Sequence, residues 1–291
     1  MSEHLASGLK IYFDRSIQEP WTRLTINSGT QPANGQDFVS GAYIPKPDWR
    51  PLKSGEWNLI QGEDSSQMAD RESASVLLVW KLPEDLFHPF GFIAAGIALR
   101  NKAYVAENLL THPDSRRAEN ILLKFLWNHG LRSGLRILGH CHQPPGAITS
   151  GIRGDGKRVG LHVDSWAGGA AGARDGFPTR LCLNVGPEAR YLMFANLNIQ
   201  QMTVRFPELA QIDDANDVVS EFMRLDPEYP IVKVRVNPGE VYVAPTEIIL
   251  HDGSCVGKEF IDAQVTLLGP FTLGAVQRAF ASNAEVAFVH A

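Results

Sequence analysis

His162 and Asp164 stand two apart at the end of the apolar run "RVGLHVD", and the slack stretch "AGGAAGARDGF" follows almost at once. Side chains alternate along a strand, so this spacing aims both residues at one face, where they can grip a single ion. A third donor of the right kind is His251, in "PGEVYVAPTEIILHDGS". There Pro238 and Gly239 make a turn, a strand runs to Pro245, and the histidine closes the next strand. Two imidazoles and one carboxylate on one face of a metal leave other positions open. This is the facial triad of non-haem iron(II) chemistry, in which a chelating co-substrate and dioxygen bind side by side.

The remaining histidines make weaker cases. "GHCHQPPG" offers His140, Cys141 and His142, but no CxxC or second cluster partners them, so they read as a strand end with ordinary hydrogen bonds. His88, His112 and His129 fall in a helical region and read as structural or solvent-facing.

The elements that must position the triad are legible from periodicity. "SVLLVWKL" (75–82) predicts a buried strand. From about Phe92 to Gly130 the pattern is helical. In "PDSRRAENILLKFLWNHG" Asp114 is the expected N-cap, Ala118, Ile121, Leu122, Phe125 and Leu126 line one face, and Gly130 stops the helix. From Gly146 onward the period falls to two, and "AITSGIR", "RVGLHV", "TRLCLNV", "RYLMFANL", "VKVRV", "EVYVAP", "EIILHD" and "AQVTLLG" predict short strands. One helical insertion, about Asp213 to Leu225, interrupts them, and a short helix and tail close the chain. Eight short strands behind a helical layer predict a barrel or jelly roll.

Composition narrows the function. The 291 residues are 44% hydrophobic, enough for a sizeable core, and the formal charge is −5. No basic stripe interleaved with aromatics points to nucleic acid. No apolar run approaches a membrane span, and the first residues lack the build of a signal peptide. Cys141, Cys182 and Cys255 are too few and too scattered for a disulfide framework. The expectation is a soluble cytoplasmic protein acting on a small molecule.

"GDGKRVGLHVDSW" and "PGEVYVAPTEIILHDG" together resemble the ligand-bearing elements of the Fe(II)/2-oxoglutarate-dependent oxygenase superfamily, over roughly residues 146–269. The resemblance implies an α+β chain built on a double-stranded β-helix, the jelly-roll or cupin-like barrel, with a helical buttress. Together with the periodicity of the remaining chain, the expected organisation is one oxygenase domain over 1–291: N-terminal strands and supporting helices in 1–142, which match no family pattern, the β-helix core in 143–275, and a C-terminal tail in 276–291. The resemblance also implies iron held by His162, Asp164 and His251, with oxidative decarboxylation of 2-oxoglutarate to succinate. Coupled to this is dioxygen-dependent oxidation of a C–H bond in a small metabolite or natural-product intermediate. Halogenating relatives carry Gly or Ala where Asp164 stands, so the aspartate implies hydroxylation, or desaturation, cyclisation or epimerisation. A cupin-like metal enzyme that does not use 2-oxoglutarate, or a non-catalytic small-molecule-binding barrel, are the alternatives.

One departure from the family pattern matters. Many members hold the distal carboxylate of 2-oxoglutarate with an arginine about ten residues after the second histidine. Here the only nearby cation is Lys258, in a glycine-flanked loop expected to fix a long side chain poorly. Other branches place a basic residue on the strands after His-x-Asp. In "TRLCLNVGPEARYLMFANL", alternation puts Arg180, Cys182 and Asn184 on one face and Leu181, Leu183 and Val185 on the other. The polar face suits a barrel interior and the apolar face suits packing on helices. Arg180 or Arg190 is therefore the expected carboxylate anchor, the other being left for a substrate acid. The Gly/Ala stretch after Asp164 is expected to act as a lid, with Trp166 and Phe177 as its apolar covers.

Overall fold

The computed structural model describes residues 5–62, 75–165 and 178–286, with side chains through 280. Thirteen strands and eight α-helices are found among the described residues. In chain order the strands are β1 (Lys10–Phe13), β2 (Leu24–Ile26), β3 (Thr30–Pro32), β4 (Tyr43–Pro45), β5 (Arg50–Pro51), β6 (Val76–Lys81), β7 (Arg136–Gln143), β8 (Thr179–Asn184), β9 (Arg190–Asn198), β10 (Ile231–Val236), β11 (Glu240–Ala244), β12 (Ile249–Ser254) and β13 (Asp262–Gly269). The helices are α1 (Ser54–Ile60), α2 (Glu84–Phe87), α3 (Gly91–Leu99), α4 (Ala103–Leu110), α5 (Pro113–Asn128), α6 (Ile199–Arg205), α7 (Ala215–Leu225) and α8 (Leu273–Val286).

The strands form a six-stranded sheet, ordered β1-β6-β11-β8-β13-β7, a five-stranded sheet, ordered β12-β9-β10-β2-β5, and the small hairpin β3-β4. From β8 onward the chain enters the first sheet, makes β9 and β10 in the second, returns for β11, crosses for β12 and returns for β13. All pairings among these six strands are antiparallel.

Alternation along each strand sorts three apolar layers. Leu181 and Leu183 of β8, with Val265 and Leu267 of β13, pack outward against Leu110, Leu122, Leu126 and Val276 of the helices. Cys182, Leu192, Phe194, Val232 and Tyr242 lie in the layer shared by the two sheets. Met193, Ala195 and Leu197 of β9 face away from it and carry Met202, Val218, Val219 and Phe222 of α6 and α7. The inward face of β8 predicted from sequence is therefore the inward face observed.

Several expectations need correction. The stretch 146–164 contains no regular strand. Its bridges are isolated ones, Ile152↔Arg158 within the stretch and Phe38↔Arg158 and His162↔His251 to its neighbours. The helical region holds three helices, because the chain leaves helical geometry at Arg100–Lys102 and again before Pro113. A residue before proline is pushed to extended backbone, so His112 rather than Asp114 is the N-cap of α5, and its Nδ1 accepts from the Asp114 N–H at 3.2 Å. Pro113 takes the first helical position, where its missing N–H costs nothing. On that helix Ala118, Leu122 and Leu126 are buried, whereas Ile121 is exposed. The insertion near 213–225 is α7, capped by the Asp214 carboxylate at the Asn216 and Asp217 N–H groups. No helix among the described residues is long and apolar enough to cross a membrane.

Candidate metal centre

Three ligand atoms, one each from His162, Asp164 and His251, lie within 4.8 Å of one another, and no other such group occurs among the described residues. The backbone brings them together. His162 and His251 exchange N–H···O bonds at 3.0 and 2.8 Å across their bridge, and Asp164 N donates to Thr246 O at 2.9 Å. The segment is aimed by Gly160, whose φ of 76° is left-handed, and a Cβ there would meet Tyr43 O at 2.4 Å. That turn lets Leu161 N donate to Tyr43 O and directs the Gly160 carbonyl back at the His162 ring.

Both imidazoles are oriented alike. His162 Nδ1 lies 2.8 Å from Gly160 O, and His251 Nδ1 lies 3.0 Å from Ile249 O. A carbonyl can only accept, so each Nδ1 carries the proton and each Nε2 keeps a lone pair for a metal. Those two Nε2 atoms each sit 3.8 Å from a different oxygen of Asp164. The donor set thus fits a divalent transition metal. His251 and Asp164 are nearly closed off, with side-chain exposures of 3% and 6%, whereas His162 at 20% marks the open side.

Electrostatics agree with this role. Burial pushes His251 down to about 3, against the pull of Asp164 and with help from His162 and Arg180, so it stands neutral and ready to ligate. Burial works against the Asp164 carboxylate, but His251, Arg180 and His162 outweigh it and hold the group below its ordinary value. Because His251 is itself kept neutral, the permanent charge among these is Arg180, whose Nη2 is 2.7 Å from Asp164 Oδ2.

A cavity of about 990 Å³ opens on the triad, and Arg180, Arg190, Tyr242, Gln264 and Thr266 line it. Arg190 is fully enclosed there. Its Nε is 3.4 Å from Asp262 Oδ2, close enough for charge pairing but misaligned for a hydrogen bond, and Nε and Nη1 both lack a hydrogen-bond partner. Asp262 also holds Lys258 at 2.8 Å. Lys258 is thus pinned and buried rather than loose in its loop. Two buried cations against one carboxylate leave this cluster one positive charge in excess. Trp166 and Phe177 lie outside the described residues.

Sequence reasoning missed three supporting groups. Asp262 was findable, because alternation on β13 puts it with Gln264 and Thr266 on the face opposite Ala263 and Val265. Asn216 of α7, whose Oδ1 accepts from Val163 N at 3.1 Å between the two ligands, had no sequence signal. Asp252, beside His251, was visible only as a neighbour. His140 forms a short contact with Glu119 of α5, and with Cys141 it lines the same cavity.

No protein-family model and no curated protein matches the chain. Among solved structures it is similar to the Kdo hydroxylase KdoO, described as a non-heme Fe(II) alphaketoglutarate dependent dioxygenase. In the apo form the identity is 16% and the TM-score 0.38, over 75% of this chain and 92% of that one. In the complex with alphaketoglutarate and Fe(III) the identity is 17% and the TM-score 0.36, over the same shares. Likenesses of this degree leave the functional reading to the chain's own geometry.

Proposed function

We propose that the protein is an Fe(II)- and 2-oxoglutarate-dependent dioxygenase that oxidises a C–H bond of a small metabolite or natural-product intermediate. The observation that carries this reading is the convergence of two Nε2 lone pairs and one carboxylate on the cavity that also holds the unsatisfied Arg190. The order in which β8 to β13, all paired antiparallel, alternate between the two sheets supports a double-stranded β-helix. β1 and β6 extend one sheet and β2 and β5 the other, which supports one oxygenase domain over the whole chain.

His162 Nε2, Asp164 and His251 Nε2 would hold the iron. Bound there, iron(II) would activate dioxygen, the oxidant, with 2-oxoglutarate giving two of its four electrons as it becomes succinate and CO2, and the C–H bond the other two. The chain's own groups bind, orient and screen. With Nε turned toward Asp262, Arg190 offers its Nη1 donors to the distal carboxylate of 2-oxoglutarate, whose charge balances the excess beside Asp262. Arg180 keeps Asp164 ionised and aimed at the two imidazoles. The buried strand faces keep His251 dry, and the open side at His162 admits substrate.

The test is succinate formation from 2-oxoglutarate by protein loaded with iron(II) under air. His162→Ala, Asp164→Ala and His251→Ala should each abolish it and lower bound iron, while circular dichroism stays native. Stoichiometric iron without succinate formation would point instead to a cupin-like enzyme that does not use 2-oxoglutarate. Absence of stoichiometric metal in the wild type would leave a binding barrel.

A further inference from the structure

Behind the least buried of the three ligands sits a second carboxylate, and we propose that Asp252 is a positioning residue for His162, setting the strength with which the site holds its metal. The inference rests on the dioxygenase reading only in needing the triad to bind a metal.

Asp252 is buried, with 2% of its surface exposed. Its two oxygens have separate surroundings. Oδ1 accepts from Ser150 N at 2.9 Å, Ser150 Oγ at 2.9 Å and Gly151 N at 3.0 Å. Oδ2 has no hydrogen-bond partner among the described residues and lies 3.7 Å from His162 Nδ1. A buried carboxylate oxygen without a donor is costly unless a positive or polarised group faces it. The group facing it is the N–H side of an imidazole whose other nitrogen belongs to the triad.

The same residue also fixes the ring mechanically. By holding Ser150 and Gly151, Asp252 brings the chain at Gly151 against His162, where a Cβ would meet His162 Cε1 at 2.8 Å and Asp252 Oδ2 at 3.4 Å. This matters because the segment around His162 has no regular ladder to stiffen it, unlike His251 on β12. A carboxylate beside the non-liganding nitrogen raises the basicity of the liganding one and holds the ring plane, and loss of such a partner commonly weakens metal binding 10- to 100-fold.

Asp252→Asn separates the two roles. The amide oxygen can replace Oδ1 and keep Ser150 and Gly151 docked, while an NH₂ group replaces Oδ2 and removes the negative charge that faces the His162 ring. Ser150→Ala does the reverse, loosening the loop and leaving Oδ2 in place. The readout is the cobalt(II) dissociation constant of metal-free protein, titrated by its visible absorption. We expect roughly 10- to 100-fold weaker binding for Asp252→Asn and a change within about twofold for Ser150→Ala. Unchanged affinity in Asp252→Asn, or an equal loss in both variants, overturns the inference while leaving the dioxygenase reading intact. Failure of the wild type to bind one cobalt per chain would sink that reading instead. If Asp252→Asn does not fold, the longer pair Asp252→Glu and Asp252→Gln decides: cobalt held at least about tenfold more tightly by the Glu variant than by the Gln variant supports the inference, and equal affinity overturns it.

Discussion

At the scale of the residue, the balance of charge around Arg190 makes the sharpest claim. Arg190, Asp262 and Lys258 are all buried; Lys258 bonds Asp262 Oδ1 at 2.8 Å, and Arg190 Nε faces Oδ2 at 3.4 Å without a hydrogen bond. Arg190 is thereby left with donors to spare for an incoming carboxylate. Breaking a buried charge pair costs roughly 3–5 kcal/mol, and each ~1.4 kcal/mol is tenfold in affinity. Arg190→Gln should therefore raise the Michaelis constant for 2-oxoglutarate at least about a hundredfold, as read from succinate formation against co-substrate concentration. Lys258→Gln should have a smaller effect of the same sign, because Asp262 would then draw on Arg190 alone. A larger loss from Lys258→Gln than from Arg190→Gln would place the anchor at the lysine.

At the scale of the element, α7 clips the metal segment from outside the sheets. Its residue Asn216 holds Val163 N–H, the backbone between the two ligands, while Val218, Val219 and Phe222 fasten the helix to β9. Leaving a buried donor unsatisfied costs about 1–3 kcal/mol. Asn216→Ala should lose that much stability in urea unfolding and retain less iron after gel filtration, and Asn216→Asp, which keeps an acceptor, should recover most of both. Equal iron retention in all three proteins would show that the clip does not steady the site. The helix itself was legible as the interruption between "RYLMFANL" and "VKVRV". Its duty was not, because a hydrogen bond spanning 53 residues leaves no local trace.

At the scale of the whole molecule, burying the centre ties folding to pH. His251 titrates at about 3 in the folded chain against an ordinary value of 6.5. Between those values the unfolded chain binds a proton that the native chain refuses. Stability is therefore full above about pH 6.5, falls as pH drops toward 3, and loses nothing more from this group below that. The slope is about 1.4 kcal/mol per pH unit for one proton. Urea unfolding of the metal-free protein at stepped pH should show it, and His251→Gln should flatten the slope by one proton's worth. An unchanged slope in the variant would mean that another group carries the acid sensitivity.

The sequence by itself singled out the three candidate ligands, their spacing and most of the strands. Period-two alternation also assigned Arg180, Cys182 and Asn184 to one face, since side-chain direction on a strand is a local property. It misjudged residues 146–164, where alternation suggested strands but the chain forms only single bridges, and it misplaced the α5 cap, where the proline decides the geometry. Tertiary structure alone decided which cations serve which anions. Arg180 meets Asp164, Lys258 meets Asp262, and Arg190 keeps donors unmet, because strands distant in sequence share one interior. Charge pairing depends on distances of a few ångströms through a low-dielectric core, and no one-dimensional spacing encodes those distances.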